Sequence, residues 1–446
     1  MALKGLDIFK LTPKTNCKDC GSPTCMAFAM KVAQGGASIS ECPHMSAESL
    51  AKLSAATEPP MKTIEIGVGE CAYKLGGETV MLRHEKTLIN KNLYGIFLAA
   101  EMPDAAIDAL LADTAKIDYE RIGTRMYVEC VLLKCGTNTA RNIEVAKKVL
   151  GLGLILILEC ADAEAAKAVI EATIEAKPVL CGANAANWEA MNAVAKTAGV
   201  VLGVSGADLN ELHDTVEKLE AAGNHNLILD LGSASIKDAF ANAVEIRRAA
   251  LKNADRTFGY PSIVNSAALA PGDIVTQAAL ASIFTLRYGS IIVMERIGYA
   301  EALPLFGLRQ NIFTDPQKPM RVTPGIYPIC GANENSVCCL TVDFALTYFV
   351  VSGEIDRSHV PVNLLIPDAG GYSVLTAWAA GKLSAASIAK FIQEFEIESK
   401  VKNRTLIMPG KVAVLKGALE DKLPGWKVVV GPNEAIQLVK FLKDFQ

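Results

Sequence analysis

Four cysteines near the start of the chain have the residue type and spacing of a metal site: Cys17-x2-Cys20-x4-Cys25-x16-Cys42. Gly21 and Pro23 lie inside this segment, where the chain must bend sharply. Four thiolates suit an iron–sulfur cluster or a zinc ion, since both take tetrahedral sulfur ligands. Zinc sites more often pair two short Cys-x-x-Cys units across a longer spacer. The three-plus-one spacing therefore favours a [4Fe–4S] cluster over zinc.

The other eight of the twelve cysteines give no second metal motif. Five lie on or beside predicted strands, where cysteine is a common small buried hydrophobe: Cys71, Cys130, Cys135, Cys160 and Cys181. A cluster at Cys330, Cys338 and Cys339 would need a fourth thiol, and none is near in sequence. We therefore expect these eight to be ordinary buried thiols, without a disulfide framework.

A second candidate site is the segment Leu364–Ser373, LLIPDAGGYS, which is typical of a strand, a glycine turn and a helix. Gly370 and Gly371 let the backbone approach a large ligand closely. The helix amide groups after the turn can donate hydrogen bonds to that ligand. A tight strand-to-helix turn with no ligand is the alternative.

Many cobalamin-binding domains carry Asp-x-His-x-x-Gly after a strand of this kind, and the histidine coordinates cobalt. If Asp368 matches that aspartate, then Gly370 stands at the histidine position. A corrinoid bound here would have no imidazole from this protein beneath the cobalt, and Co(I), which prefers four ligands, would be easier to reach.

The chain that must position these sites has 446 residues, 51% of them hydrophobic, with a formal net charge of −4. Such a composition excludes a wholly disordered chain and lacks the basic patch of a nucleic-acid binder. The apolar runs are shorter than the roughly 20 residues of a spanning helix. The amino terminus lacks the features of a secretory signal, so we expect a cytoplasmic protein.

From Tyr94 to about Asp315, a short apolar run followed by an Ala-rich helical stretch recurs about eight times. The predicted strands are Tyr94–Ala99, Met126–Leu133, Leu154–Leu158, Pro178–Cys181, Val200–Val204, Leu227–Leu231, Ser262–Asn265 and Ile291–Met294. This count and length predict a (β/α)8 barrel, with an open doubly wound sheet as the alternative.

Two proline-containing segments flank the predicted barrel, at Ala51–Met61 and Asp315–Pro328. After the first, Thr63–Gly69 is expected to pair with Thr79–Leu82 across Gly76-Gly77. After the second, alternating patterns predict another α/β unit. Its expected strands and helices are Val362–Pro367, Thr405–Met408, Lys427–Val430, Ser373–Phe395, Val412–Leu423 and Glu434–Phe445.

Taken together, the cysteine motif, the barrel pattern and two late segments resemble the large (gamma) subunits of corrinoid/iron–sulfur proteins of the reductive acetyl-CoA (Wood–Ljungdahl) pathway. The two segments are Leu340–Tyr348 (LTVDFALTY) and Ile366–Val374 (IPDAGGYSV). The resemblance covers essentially the whole chain. It implies an α/β protein with a small N-terminal iron–sulfur domain, a central TIM barrel and a C-terminal Rossmann-like corrinoid-binding domain. The expected boundaries are 1–58 for the cluster domain, 59–92 for a linker with short strands, 93–315 for the barrel, 316–328 for a linker and 329–446 for the corrinoid domain.

The resemblance implies a methyl-group carrier within a methyltransferase system, and whether the chain is itself an enzyme stays open. Its corrinoid cobalt would accept a methyl group from methyltetrahydrofolate through a separate methyltransferase and deliver it to CO dehydrogenase/acetyl-CoA synthase. The [4Fe–4S] cluster would return oxidised cobalt to Co(I). The expected partners are a smaller barrel subunit, in a heterodimer, and those two enzymes, with neither nucleic acid nor a membrane.

By the same resemblance, the cluster ligands are Cys17, Cys20, Cys25 and Cys42. The implied corrinoid contacts are Thr341, Thr347, Gly370, Gly371, Tyr372, Ser373, Thr376, Gly431, Pro432, Asn433 and Glu434.

Two other functions stay open. A pterin-dependent methyltransferase would use polar residues near the strand ends of its own barrel, and the candidates are Glu159, Asn184, Asp230, Asn265 and Glu295. A ferredoxin-like electron-transfer subunit would carry the cluster without a corrinoid, and this leaves the glycine turn without a role.

Overall fold

A computed structural model describes residues 5–33, 37, 39–46, 49–50, 60–232, 235–315 and 318–445. The chain divides into two compact units, which are described separately. The first comprises Met1–Ile117 and Tyr127–Phe313, and the second comprises Asp118–Met126 and Thr314–Gln446. Most of the proline-containing segment Ala51–Met61, namely residues 51–59, lies outside the described residues, as does Pro316 of the second segment. Across the described ranges, every helix is too short or too polar to cross a membrane.

The N-terminal segment holds two helices, α1 (Gly5–Leu11) and α2 (Cys25–Ala33). The Thr24 hydroxyl caps α2 by accepting a hydrogen bond from the amide of Ala27 at 3.1 Å. Apolar residues of both helices and of the segment that follows them form a small core of their own: Ile8, Phe28, Ala29, Val32, Ile39, Cys42 and Met45.

A short antiparallel hairpin follows, formed by β1 (Thr63–Ile66) and β2 (Tyr73–Gly76). The prediction that Thr79–Leu82 is the partner strand is therefore wrong. The adjacent glycines Gly76 and Gly77 have φ of +78° and +76°, so they end β2 and do not form the turn between the strands.

Eight parallel strands of the described chain close into a barrel, and the predicted (β/α)8 barrel is thus confirmed. Around the barrel they run β3, β6, β7, β8, β9, β10, β11 and β12. Their bounds, with those of an inserted hairpin (β4, β5), are β3 (Leu93–Ala99), β4 (Asp118–Arg121), β5 (Thr124–Tyr127), β6 (Cys130–Lys134), β7 (Ile155–Glu159), β8 (Val179–Ala183), β9 (Leu202–Val204), β10 (Leu227–Asp230), β11 (Ser262–Asn265) and β12 (Ile291–Met294).

Six of the nine described helices of this part of the chain begin at short polar side chains that cap them. Asp162, Asp208 and Ser235 each accept hydrogen bonds from amides of the first turn that follows. The helices are α3 (Asp104–Ala115), α4 (Thr139–Leu150), α5 (Ala163–Thr173), α6 (Trp188–Ala198), α7 (Leu209–Ala221), α8 (Ile236–Lys252), α9 (Ser266–Leu269), α10 (Ile274–Leu286) and α11 (Tyr299–Ile312).

The hairpin β4–β5 interrupts the barrel sequence, yet most of it belongs to the second unit. Its two-residue turn is Ile122-Gly123, and both residues have positive φ, at +49° and +65°. The predicted strand Met126–Leu133 is therefore two strands, because Met126 and Tyr127 pair within the hairpin and β6 begins at Cys130.

The second unit is built on a five-stranded sheet in the order β13-β15-β14-β16-β17. The edge strand β13 is antiparallel to β15, and the other neighbours are parallel. The bounds are β13 (Gly325–Ile329), β14 (Val337–Leu340), β15 (Val362–Ile366), β16 (Thr405–Met408) and β17 (Lys427–Val430). The winding direction reverses between β14 and β16, which is where open α/β sheets place their ligands.

Helices cover both faces of this sheet. They are α12 (Ala345–Ser358), α13 (Val374–Ala379), α14 (Ala385–Glu394), α15 (Ile397–Lys400), α16 (Lys416–Lys422) and α17 (Leu438–Phe445). Cys338 packs into the core on one face and Cys339 into the core on the other. Burial raises the pKa of both thiols, that of Cys338 to about 12, which agrees with their expected role as buried hydrophobes.

The predicted helix Ser373–Phe395 is broken in the structure. Gly381, at φ +69°, ends the first part, and the Ser384 hydroxyl caps α14 by accepting from the amide of Ser387. A glycine in the left-handed conformation commonly ends a helix, and a serine shortly after it commonly caps the start of the next helix. The break shortens α13 to six residues directly after the glycine turn.

Candidate functional site

A cavity of about 300 Å³ lies at the carboxyl ends of β14, β16 and β17. It therefore occupies the point of the sheet where the winding direction reverses. Seven of the eleven residues implied as corrinoid contacts line it: Thr341, Thr347, Ser373, Gly431, Pro432, Asn433 and Glu434. The rest of its wall is mainly apolar, with Leu346 and Val350 from α12 and Leu375 from α13.

Thr341 lies in the wall of this cavity and carries a buried hydroxyl group. Thr341 is 1% exposed, and its Oγ1 has no hydrogen-bond partner among the described residues. A buried polar atom without a partner is rare in folded proteins and costs about 1–3 kcal/mol. The site thus has a donor and acceptor group that a bound ligand could satisfy.

The loop after β17 closes the opposite wall of the cavity. The amide of Gly431 donates to the carbonyl of Met408 at 2.8 Å, and the amide of Gly410 donates to the carbonyl of Pro432 at 3.1 Å. A Cβ atom at Gly410 would meet the Gly431 carbonyl oxygen at 2.5 Å. The two loops can approach this closely only because Gly410 has no side chain.

A buried carboxylate holds the glycine turn in place. Asp343 is fully buried, and its Oδ1 accepts hydrogen bonds from the amides of Ala369 and Gly371 at 3.1 and 3.0 Å. Its Oδ2 accepts from Nε of Arg321 at 2.6 Å. Arg321 also pairs with Asp368, whose Oδ1 accepts from the amide of Gly370 at 2.9 Å.

Four of the expected contact residues lie beside the cavity and not in its wall: Gly370, Gly371, Tyr372 and Thr376. Gly370 and Gly371 have φ of +74° and +76°. A Cβ atom at Gly371 would lie 2.7 Å from Cγ of Arg321, so the turn packs directly on that side chain. The hydroxyls of Ser373 and Thr376 are hydrogen-bonded to each other at 2.9 Å.

Large apolar side chains are exposed on the same elements as the cavity. Leu346 is 62% exposed, Val350 48% and Leu375 45%, and all three line the cavity. Tyr372 and Trp378, on or beside α13, are also exposed. A group of exposed apolar side chains is typical of a surface that binds a ligand or a partner protein.

The one histidine of the second unit, His359, lies away from this cavity. It ends α12 in the left-handed conformation and precedes the amino end of β15. The cavity lies at the carboxyl ends of the parallel strands, at the opposite edge of the sheet. No histidine is therefore available within this unit to reach a ligand in the cavity.

The four cysteines of the N-terminal motif are free thiols in the structure. Cys25 and Cys42 are buried, Cys20 is half-buried against the small core, and Cys17 is exposed. The Asn16 side chain closes the loop that carries Cys17 and Cys20, because its oxygen accepts a hydrogen bond from the amide of Cys25 at 2.8 Å. Of the four, Cys42 belongs to the small core and Cys20 packs against it. The motif thus offers four free thiols, the number of sulfur ligands that an iron–sulfur cluster or zinc takes.

Asp19 and His44 lie beside the first cysteine of this motif. Nε2 of His44 is 2.6 Å from Oδ2 of Asp19. The hydrogen bonds from His44 and, second, from Cys17 lower the pKa of the Asp19 carboxyl. The Cys17 sulfur, the Asp19 carboxylate and a His44 nitrogen all lie within 4.8 Å of one another.

Comparison with known proteins matches both of these regions. A family model described as "CO dehydrogenase/acetyl-CoA synthase delta subunit" matches residues 63–442. A second model, whose description names an Fe-S cluster, matches residues 13–44. The corrinoid/iron-sulfur protein large subunit of Moorella thermoacetica is 38% identical over 99% of this chain and 99% of its own length.

The chain belongs to the family of corrinoid/iron–sulfur protein large subunits. The acetyl-CoA decarbonylase/synthase complex subunit gamma of Methanothermobacter thermautotrophicus is 30% identical, again over 99% of both chains. Among solved structures, dihydropteroate synthase from Thermus thermophilus aligns with 53% of this chain and 97% of its own, at 16% identity and a TM-score of 0.36.

In this member of the family, the polar residues at the barrel mouth serve mainly to cap backbone groups. Four of the five candidates accept hydrogen bonds from nearby amides: Asn184 from Ala186, Asp230 from Gly232, Asn265 from Ala268 and Glu295 from Gly272. Glu159 ends β7 beside Asp230. Burial and, to a smaller extent, the Glu159 charge raise the pKa of Asp230 to about 6.

Sequence reasoning missed two residues that shape the cavity region, Asp343 and Arg321. Asp343 lies within the quoted segment Leu340–Tyr348, but nothing local distinguishes it from an exposed aspartate. Arg321 is 22 residues before Asp343 and 47 before Asp368 in sequence. A pairing over such distances becomes visible only in the folded chain.

Proposed function

We propose that this chain is a methyl-group carrier of the acetyl-CoA pathway, with a corrinoid at the cavity of the second unit and a [4Fe–4S] cluster on the N-terminal cysteines. When bound, the corrinoid supplies a cobalt centre that takes a methyl group from methyltetrahydrofolate and passes it on, and the cluster supplies the electron that returns the cobalt to Co(I). The observation that carries the proposal is the partnerless hydroxyl of Thr341, a residue of the wall of a cavity that most of the expected contact residues line.

The size of the cavity supports partial enclosure of the cofactor. Ligand sites for drug-sized molecules are roughly 300–1,000 Å³, and this cavity of about 300 Å³ is at the lower end. A corrinoid is larger than such molecules, so only part of it can enter. The exposed apolar side chains of Leu346, Val350 and Leu375 then provide the surface that the rest of the ring would cover.

The chain's own residues would hold the cofactor from two sides. Thr341 and Thr347 offer hydroxyl groups from one wall, and the loop Gly431–Glu434 closes the other. The turn with Gly370, Gly371, Tyr372, Ser373 and Thr376 presents small and hydroxyl-bearing groups at the edge. Since Gly370 stands where a cobalt-binding histidine would be and His359 is at the other edge of the sheet, we propose that this protein gives the cobalt no imidazole ligand.

For the cluster, the proposed ligands are Cys17, Cys20, Cys25 and Cys42. That all four are free thiols, with Cys20 and Cys42 at the same small core, supports this assignment. We further propose the domain boundaries 1–58, 59–92, 93–315, 316–328 and 329–446, a cytoplasmic location, and the family's partners. These partners are a smaller barrel subunit, a methyltetrahydrofolate methyltransferase and CO dehydrogenase/acetyl-CoA synthase.

The test is anaerobic purification of the full chain, with and without added hydroxocobalamin, followed by visible spectroscopy and iron and cobalt analysis. We expect corrinoid bands and, for a [4Fe–4S] cluster, roughly four irons per chain. Electron paramagnetic resonance of the Co(II) state should lack splitting from a protein nitrogen. Bound pterin without corrinoid would instead support methyltransferase chemistry in the barrel, and a cluster without corrinoid would support an electron-transfer subunit.

A further inference from the structure

The carboxyl end of the barrel holds a second chemical site, formed by Cys135 and Cys160. The structure joins these two cysteines in a disulfide, whereas the ten other cysteines are free. The expectation that both are single buried thiols is therefore wrong. They follow β6 and β7, which are adjacent parallel strands, so residues 25 positions apart in sequence become neighbours.

We propose that Cys135 and Cys160 form a reversible dithiol–disulfide couple that exchanges with a dithiol protein of the thioredoxin type. The backbone supports both oxidation states without moving. The two Cα atoms are 5.2 Å apart, within the range of about 4.4–6.8 Å that disulfides span. Neighbouring parallel strands hold their Cα atoms about this far apart with or without a bond between the side chains.

The strand ladder fixes both cysteines at this distance. The amide of Cys135 donates to the carbonyl of Glu159 at 2.9 Å, and the amide of Cys160 donates to the carbonyl of Cys181 at 3.1 Å. Because neither hydrogen bond involves a side chain, reduction of the disulfide leaves both in place. The reduced thiols therefore remain positioned to form the bond again.

Access to the disulfide is through one sulfur. Both cysteines line a cavity of about 590 Å³ at the barrel mouth, whose wall includes small residues such as Ala99, Gly136 and Ala161. Cys160 is 1% exposed, whereas Cys135 is half-buried. An incoming thiolate can therefore attack the sulfur of Cys135, and Cys160 is the leaving group.

The exchange conserves atoms and electrons. The first thiolate of the reductant forms a mixed disulfide with Cys135 and releases Cys160 as a thiolate, which takes a proton. The second thiol of the reductant then attacks the reductant sulfur that is bonded to Cys135. This forms the disulfide of the reductant and releases Cys135 as a thiol. The reductant ends as a disulfide, having supplied two electrons and two protons, and a low-molecular-weight disulfide such as glutathione disulfide reverses the reaction.

Geometry, and not charge, distinguishes this pair. The cavity is lined by one cation, Lys134, and by three carboxylates, Glu101, Asp162 and Glu164. Cys130 and Cys181 lie on the same sheet, but each is single and buried, and burial raises the pKa of each thiol well above its ordinary value. Only the pair at the mouth therefore combines a neighbouring sulfur with access from a cavity.

The test is alkylation of the full, folded chain with N-ethylmaleimide in glutathione or dithiothreitol redox buffers, read by peptide mass spectrometry. We expect labelling of Cys135 to rise from absent to complete on reduction and to be lost again with glutathione disulfide. Cys160, which is buried, should follow the same transition when a second label is added after denaturation of the quenched chain. In Cys160→Ser, Cys135 should label without any reductant, and in glutathione disulfide it should carry one glutathione. The matched control Cys71→Ser removes a single, partly exposed thiol and should leave the transition of the pair unchanged.

A thioredoxin whose second active-site cysteine is replaced by serine should be trapped as a mixed disulfide on Cys135 and not on Cys160. Failure of dithiothreitol to reduce the pair in the folded chain would show a permanent structural bond and overturn the proposal. Free labelling of Cys135 in glutathione disulfide would overturn it as well. Reduction by dithiothreitol without any trapped thioredoxin would overturn the exchange with a protein. None of these readouts depends on a bound corrinoid.

Discussion

Thr341 places a hydroxyl group where the described part of the folded chain offers it no partner. Replacement with valine keeps the shape of the side chain and removes the polar atom. We expect Thr341→Val to leave the unliganded chain as stable as before or more stable, because a buried group without a partner is removed. Retention of hydroxocobalamin should weaken by about tenfold, the loss of roughly one hydrogen bond.

The measurement for Thr341→Val is a dissociation constant from the visible spectrum, together with the thermal unfolding midpoint. Thr341→Ser keeps the hydroxyl and should keep most of the affinity. A valine variant that binds hydroxocobalamin as tightly as the parent chain would remove the main support for the ligand site.

Asp343 differs from Thr341 in that its polar atoms have partners: both carboxylate oxygens accept hydrogen bonds in the described structure. Asp343→Ala would leave the amides of Ala369 and Gly371 and the Arg321 side chain without this acceptor. We expect a loss of about 2–3 kcal/mol in the stability of the second unit, seen as a lower unfolding midpoint, and weaker hydroxocobalamin retention.

Asp368→Asn is the control for Asp343→Ala. The Asp368 side chain is 66% exposed, so loss of its charge should cost less than about 1 kcal/mol. Equal effects of the two substitutions would mean that Asp343 does not organise the turn more than a surface carboxylate does.

At the scale of whole elements, the regular parts of the fold could be predicted and the irregular parts could not. Continuous apolar strands separated by amphipathic helices predicted the barrel, since that pattern is local and repeats. The hairpin β4–β5 was missed because Ile122 occupies a positive-φ turn position that asparagine or glycine usually fills. The helix α11 was missed because Pro304 lies inside it and its apolar residues do not form one stripe.

The barrel strand β10 carries a carboxylate whose charge opposes folding. Burial raises the pKa of Asp230 to about 6 from its ordinary 3.8, so the folded state binds this proton more tightly than the unfolded state. The resulting penalty is small near pH 4, grows as the pH rises to about 6, and is then constant, at most about 3 kcal/mol. Asp230→Asn should therefore raise the unfolding midpoint more at pH 8 than at pH 4.5.

Glu159→Gln is the control for Asp230→Asn. Because this substitution removes the Glu159 charge, it lowers the pKa of Asp230. The destabilisation by the Asp230 charge should then grow over a narrower range of pH. A gain in Asp230→Asn that is the same at both pH values would contradict a raised pKa for this carboxyl.

For the whole molecule, the two proposed cofactor sites are built from separate residues. The cysteine motif has a small core of its own, formed by residues such as Ile8 and Phe28, and every residue lining the cavity lies between Cys339 and Leu438. The cysteine spacing could be recognised from the sequence because all four ligands lie within 26 residues. Seven residues of the cavity wall were named only through the family resemblance. Spacing alone could not identify them, because the cavity forms only when three strand ends, two helices and a distant loop come together.

This separation predicts that each cofactor can be lost without the other. Cys20→Ala should lose cluster iron, because a tetrahedral site with three thiolates holds a [4Fe–4S] cluster weakly. Hydroxocobalamin retention by the same variant should stay within error of the parent chain, measured on one anaerobic preparation by iron analysis and visible spectroscopy. Cys330→Ala, which removes a free and partly exposed thiol outside the motif, should keep both cofactors. If cobalamin left together with the iron in Cys20→Ala, the cavity would depend on the cluster segment for its structure, and the proposal of two independent sites on one chain would be wrong.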